Sequence, residues 1–243
     1  MKMAKTLVAA LVCTTILSTP ALAAKDNGQA LDAIAPEGLS TSEPAPANYD
    51  PSLKKANEAI IMPEANPIIV LDPGHGGSDP GAVGNGIRES DVVLDIATRS
   101  KNYIVANYPA TVYMTRIADT TLTLGDRTTY ANNKGANFFV SFHINSYTTS
   151  TPNGLETYYY PGSTNGQRLA TDLYNKLKSH YSTLRGVKSA DFYVLRNTNM
   201  PASLGETGFI SNYTDATNLK SSTFKQNLAV AYSQGMHVYW WGF

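Results

Sequence analysis

Apolar positions recur along this chain in two rhythms. Ile68 to Leu71 is a short unbroken apolar run ending in Asp-Pro-Gly, the pattern of a strand buried on both faces. From Ser90 to Asn107 the residues Val93, Ile96, Ala97, Ser100 and Ile104 return at helical spacing, and Tyr108-Pro109 ends that helix. Thr111 to Arg116 alternates and is β-branched, which predicts a strand. Asp126 to Asn133 predicts a shorter helix, and Asn137 to Ser146 a second buried strand. Leu155 to Tyr160 predicts another strand after a turn at Pro152-Asn153-Gly154. Leu169, Leu173, Leu177 and Tyr181 mark a third helix. Asp191 to Asn197 reads as a strand, Ser203 to Asn212 contains one more, and Phe224, Leu228, Ala231, Gly235 and Val238 mark a closing helix. Strands interleaved with helices predict an α/β fold with a largely parallel sheet covered on both faces.

The chain ahead of this pattern is different. Lys2 and Lys5 precede a mostly apolar stretch from Leu7 to Ser18, and Ala21-Leu22-Ala23 supplies small residues at a cleavage position. Residues 1–23 therefore read as a secretory signal peptide, too short in its apolar part to span a bilayer. The only cysteine, Cys13, lies inside it, and Val12 before it does not suit lipidation. The exported protein is then free of thiols, so any metal ligands must be His, Asp or Glu. Residues 24–66 are rich in Pro, Ala and Glu, with seven acidic against three basic residues, and read as a flexible linker. Residues 67–243 hold 14 basic and 12 acidic residues, a length and balance that suit one domain with a full core. No basic patch argues for nucleic acid.

Four polar residues fall where strands end or a helix begins. His75 follows the first strand within Gly74-His75-Gly76-Gly77, Glu89 opens the first long helix, His143 ends the Phe138–Phe142 run, and Glu206 lies in the last strand. Ligands gather beyond the carboxyl ends of strands in such sheets. Two histidines and a carboxylate can hold zinc with a fourth position open for water, and one more carboxylate can move the proton. His75 and Glu89 also have plainer readings, whereas an imidazole between Phe142 and Ile144 and a carboxylate in the mostly apolar strand of Glu206 each call for a partner. A lone histidine after a strand is usually a loop residue, and a glutamate in a first helical turn is favoured by the helix dipole. His180 at a helix end and His237 among aromatics read as structural. Glu156 is either a partner orienting a ligand imidazole or the polar face of a strand.

The segments Ile69–Ala82, Ile87–Ala97, Asp126–Ser146, Gly154–Tyr160 and Gly205–Asn212 resemble, in order, the successive blocks of the zinc-dependent N-acetylmuramoyl-L-alanine amidases of the Amidase_3 type. The resemblance covers essentially all of 67–243 and implies a single α/β domain with a mostly parallel sheet of about six strands. It implies that His75, Glu89 and His143 are the Zn2+ ligands and Glu206 the general base and then acid. The reaction would be hydrolysis of the amide between the muramic acid lactyl group and the L-alanine of the stem peptide. A zinc peptidase cutting within the stem, or a wall-binding module with a decayed site, are the competing readings. Gly205 stands where the family often has a branched apolar residue, which would loosen Glu206. Some members carry a long helical plug after the third ligand. Here only Ile144 to Asn153 intervenes, so an open site needing no activator is expected. No wall-binding repeat is recognisable, so tyrosines such as Tyr158, Tyr159, Tyr160 and Tyr193 are candidates for stacking on sugars. The expected partner is peptidoglycan, met by a monomer in the periplasm, wall or medium, without membrane insertion after signal cleavage.

Overall fold

The computed structural model describes residues 42–58 and 66–243. The signal peptide, and the linker residues outside 42–58, lie outside the described residues apart from Asn66. In chain order the elements begin with α1 (Pro51–Glu58), β1 (Ile68–Pro73), β2 (Val83–Gly84), β3 (Ile87–Arg88) and α2 (Glu89–Asn107). There follow β4 (Thr111–Met114), α3 (Leu124–Asn133), β5 (Phe138–Asn145), β6 (Leu155–Tyr159) and α4 (Thr164–Leu177). The last are β7 (Leu184–Ser189), α5 (Tyr193–Arg196), β8 (Ala202–Phe209), α6 (Tyr213–Lys220) and α7 (Ser222–Trp241).

Six strands form one sheet in the order β4-β1-β5-β8-β6-β7, and only the β6–β8 pairing is antiparallel. The expected mostly parallel α/β sheet is therefore what the chain builds. The central strands β5 and β8 are buried at every position, as their near-continuous apolar sequences require. Ile69, Leu71, Phe138, Val140 and Phe142 face a core shared with α2, α4 and α7. Val70, Phe139, Ala202 and Leu204 face the opposite core, with Phe192, Val194 and Leu195 around α5. A period of two assigns each strand residue to one of these faces.

Two expectations fail locally. Asp191–Asn197 is not a strand, since Tyr193–Arg196 forms one helical turn. Phe192, Tyr193, Val194 and Leu195 are all buried, and a short run that is apolar on every side does not distinguish strand from helix. The strand of this region is β7, whose sequence LRGVKS carries a glycine and two cations because it is an exposed edge. The helix expected from Asp126 starts at Leu124, because Thr123 and Asp126 form a reciprocal capping box.

Residues 42–58 depart from a flexible linker. Asn48 donates to the Thr129 carbonyl at 2.9 Å, and Asn199 donates to the Asn48 carbonyl at 2.9 Å. Lys54 is buried, its ammonium donating to the carbonyls of Leu195, Arg196 and Thr198 where α5 ends. No described helix is long and apolar enough to cross a membrane.

Candidate active site

The carboxyl ends of β1, β5 and β8 and the first residue of α2 meet at one rim. His75 sits at φ 56°, a left-handed conformation uncommon for a residue with a side chain. It is held there from several sides. Arg127 donates to the carbonyls of Pro73 at 2.8 Å and His75 at 2.7 Å, and Arg116 donates to those of Pro73 and Gly74 at 2.9 and 2.7 Å. Arg127 is itself fixed by Asp72 at 2.9 Å. Asp72 also accepts from Thr115 at 2.6 Å and Ser141 at 2.8 Å. Burial pushes the Asp72 carboxyl up, but the Arg127 charge and these hydrogen bonds outweigh it and hold its pKa below the usual range. Gly74 is required by contact, because a Cβ there would lie 2.2 Å from the His143 ring.

His75, Glu89 and His143 each offer one donor atom, and these three atoms lie within 4.8 Å of one another. Glu89 Oε1 stands 2.9 Å from His143 Nδ1 and 3.2 Å from His75 Nε2. Its carboxylate is anchored by the backbone N–H groups of Ile144 at 3.0 Å and Ala82 at 2.9 Å. Burial raises the Glu89 pKa, yet hydrogen bonds with both imidazoles and their charge drive it far below the usual range. Burial lowers the His143 pKa, which favours the neutral ring that metal ligation needs. The other nitrogen of His75, Nδ1, meets Asp79 Oδ2 at 2.7 Å. That contact fixes the ring and leaves Nε2 for the site. Two imidazoles and one carboxylate, converging and individually anchored, suit a divalent metal of the zinc type.

Glu206 is fully buried, and neither of its carboxyl oxygens has a hydrogen-bond partner. Register pairs it with His143 on β5 and with Glu156 on β6, so the three side chains lie in a row on one face of the sheet. Burial, with the charges of Glu89 and Glu156, pushes its pKa well above the usual range. An unpartnered buried carboxyl is costly and points to a chemical task. All four expected residues are thus gathered at one place.

Other expectations change. Glu156 touches neither His75 nor His143, and it is Asp79 that holds the His75 ring. Instead it accepts from Tyr158, Arg185 and, at 3.0 Å, Lys188. Gly205 has a packing reason. A Cβ there would fall 2.0 Å from the Tyr232 hydroxyl, so α7 places its tyrosine where a branched residue would otherwise stand. Tyr158 and Tyr193 are buried and cannot stack on sugars. His237 stacks between Tyr108 and Trp241, and His180 packs edge-on to Phe224. Sequence reasoning missed Asp72, Asp79, Arg116 and Arg127. A carboxylate closing an apolar strand was the one available signal.

A family model described as N-acetylmuramoyl-L-alanine amidase matches residues 69–238. The chain is 41% identical over 171 residues to a sporulation-specific N-acetylmuramoyl-L-alanine amidase of Bacillus subtilis, covering 69% of this chain and 66% of that one. It is 40% identical over 193 residues to the amidase LytC of the same organism, covering 78% and 38%. The chain thus spans about two thirds or less of the length of these curated relatives. The solved catalytic domain of the amidase CwlV from Bacillus (Paenibacillus) polymyxa superposes with a TM-score of 0.68 at 34% identity, covering 71% of this chain and 97% of that one. An amidase from Clostridium difficile 630 gives 0.69 at 32%, covering 72% and 96%.

Proposed function

The chain belongs to the Amidase_3 family of N-acetylmuramoyl-L-alanine amidases, and on that footing we propose that it hydrolyses the amide between the muramic acid lactyl group and the L-alanine of the peptidoglycan stem. His75, Glu89 and His143 would hold zinc, and Glu206 would carry the proton. The observation that bears most weight is the pairing of a His–Glu–His group with an adjacent buried carboxyl that has no partner.

A bound zinc would polarise the amide carbonyl and acidify a water. The chain supplies the rest. Asp79 orients the His75 ring, and Ala82 and Ile144 orient the Glu89 carboxylate. Glu206 takes a proton from the attacking water and gives it to the departing alanine nitrogen. Burial and the neighbouring charges of Glu89 and Glu156 raise its pKa, which favours the protonated form that donates to the leaving nitrogen. An acidic residue without a partner, at the register position beside a ligand, is what a peptide-bond hydrolase needs and a binding module does not.

We further propose export through the leader at 1–23, a monomer, and activity without an activator. The connection from Ser146 to Gly154 contains no helix, which supports the last of these.

Digestion of purified wall, followed by mass analysis of the products, tests the proposal. Chelator-sensitive release of intact stem peptides beginning at alanine, lost in Glu206→Gln, is the expected result. Cleavage inside the stem would move the activity to a peptidase, and binding without cleavage would overturn the enzyme.

A further inference from the structure

The row His143–Glu206–Glu156 does not end at Glu156. Beyond it lies the edge strand β7, where Gly186 pairs with Glu156 and Lys188 with Tyr158. The register slips between Leu155 and Glu156, and Gly186 takes φ +93°. Such a bulge re-aims side chains. Here it turns Arg185 onto the same face as Lys188, and both cations meet one carboxylate oxygen of Glu156. Glu156 is fully buried, whereas the Arg185 and Lys188 side chains are 19% and 30% exposed. Two cations over one carboxylate leave one net positive charge, and it faces outward. Arg185 is also seated over the Phe209 ring, its guanidinium 5.0 Å from the ring centre. The opposite flank of the centre is acidic, with Asp79 60% exposed beside His75, and Asp91 and Asp119 around Arg88.

This asymmetry gives the site a direction. Glu206 protonates the leaving nitrogen, so the peptide, which starts at that nitrogen, departs on the Glu206 side. Strands are spaced about 4.8 Å apart and an extended peptide advances about 3.4 Å per residue. Arg185 and Lys188 belong to β7, two strands from Glu206, and reach back to Glu156 on β6, so they lie about one to three residues beyond the scissile bond. The second residue of the stem is acidic, and its α-carboxylate is free or amidated according to the wall.

Resting on the amidase reading, we propose that Arg185 and Lys188, aimed by the β7 bulge and braced from below by Glu156, form the subsite for the free carboxylate of the stem's second residue. They make the enzyme select acidic over amidated stems.

The test uses the full chain with zinc and two soluble muramoyl tripeptides that differ only in a free or amidated carboxylate at the second residue. Wild type is expected to favour the free acid by about tenfold in kcat/KM, as one charge-assisted hydrogen bond supplies. In Lys188→Gln and Arg185→Gln that ratio falls toward one, chiefly through KM. An equal ratio in wild type and variants, or no preference in wild type, overturns the subsite while leaving the amidase reading intact. Failure to cut either substrate at the muramoyl–alanine bond would instead overturn the amidase reading. If Arg185→Gln does not fold, wild-type inhibition by the free dipeptides decides: Ala-Glu inhibiting no better than Ala-isoglutamine, which is amidated at the α-carboxylate, overturns the subsite.

Discussion

Replacing Arg127 with methionine removes the cation that faces Asp72 at 2.9 Å while leaving the aliphatic stem. Both side chains are nearly inaccessible, at 4% and 1% exposure. Breaking a buried pair from one side costs about 3–5 kcal/mol, because the other charge stays buried without a counter-ion. Thr115 and Ser141 still donate to Asp72, which places the loss near the lower end, at about 3 kcal/mol. For a domain of this size that lowers the melting temperature by roughly 6–12 °C. The same arginine ties down the carbonyls of Pro73 and His75, so zinc affinity should fall about 10- to 100-fold. The pH dependence has a defined sign. The Asp72 pKa is lowered in the folded protein, so its contribution is present above the unfolded carboxyl value near 4 and is lost as pH falls. The gap between wild type and variant should therefore narrow below about pH 4. Urea unfolding of chelated protein from pH 3 to 7, with a zinc competition titration, measures both effects. A loss under about 1 kcal/mol at pH 7, with unchanged zinc affinity, would refute the role given to this pair.

Three further outcomes are expected. The folded pKa of Glu206 is raised, so the metal-free protein loses stability as pH climbs above the unfolded carboxyl value; in urea unfolding, chelated Glu206→Gln should be more stable than wild type at pH 7 by about 1–3 kcal/mol, and equally stable near pH 4. Gly205→Ala should destabilise by about 1–3 kcal/mol, with part recovered in the double variant with Tyr232→Phe; a strictly additive cycle would show that the hydroxyl contact is not the cause. Lys54→Met should strip the end of α5 of its shared donor, costing about 1–3 kcal/mol and exposing residues 42–58 to protease; an unchanged digestion pattern would show that the segment is held by other contacts.

The sequence by itself determined the layer architecture and the elements with one clear period. Strands β1 and β5 announce themselves as unbroken apolar runs, and α2 and α7 as long helical repeats, because burial on two faces or on one stripe leaves no other pattern. It also singled out His75, Glu89, His143 and Glu206 as candidates, and the fold gathers donor atoms of the first three within 4.8 Å and sets Glu206 beside His143 in the sheet. Packing beyond the local period decided the rest. The turn at Tyr193–Arg196 and the edge strand β7 carry patterns that do not encode their state, one being buried all round and the other half-solvated. The fit of Gly205 to Tyr232 joins residues on different elements, so neither identity explains itself alone. Asp72, Arg116 and Arg127 belong to β1, to the segment after β4 and to α3, and only folding brings them around the His75 turn. The pairing of buried charges is not written in the sequence, because a partner can come from anywhere in the chain and only the closed structure removes the water that would otherwise solvate it.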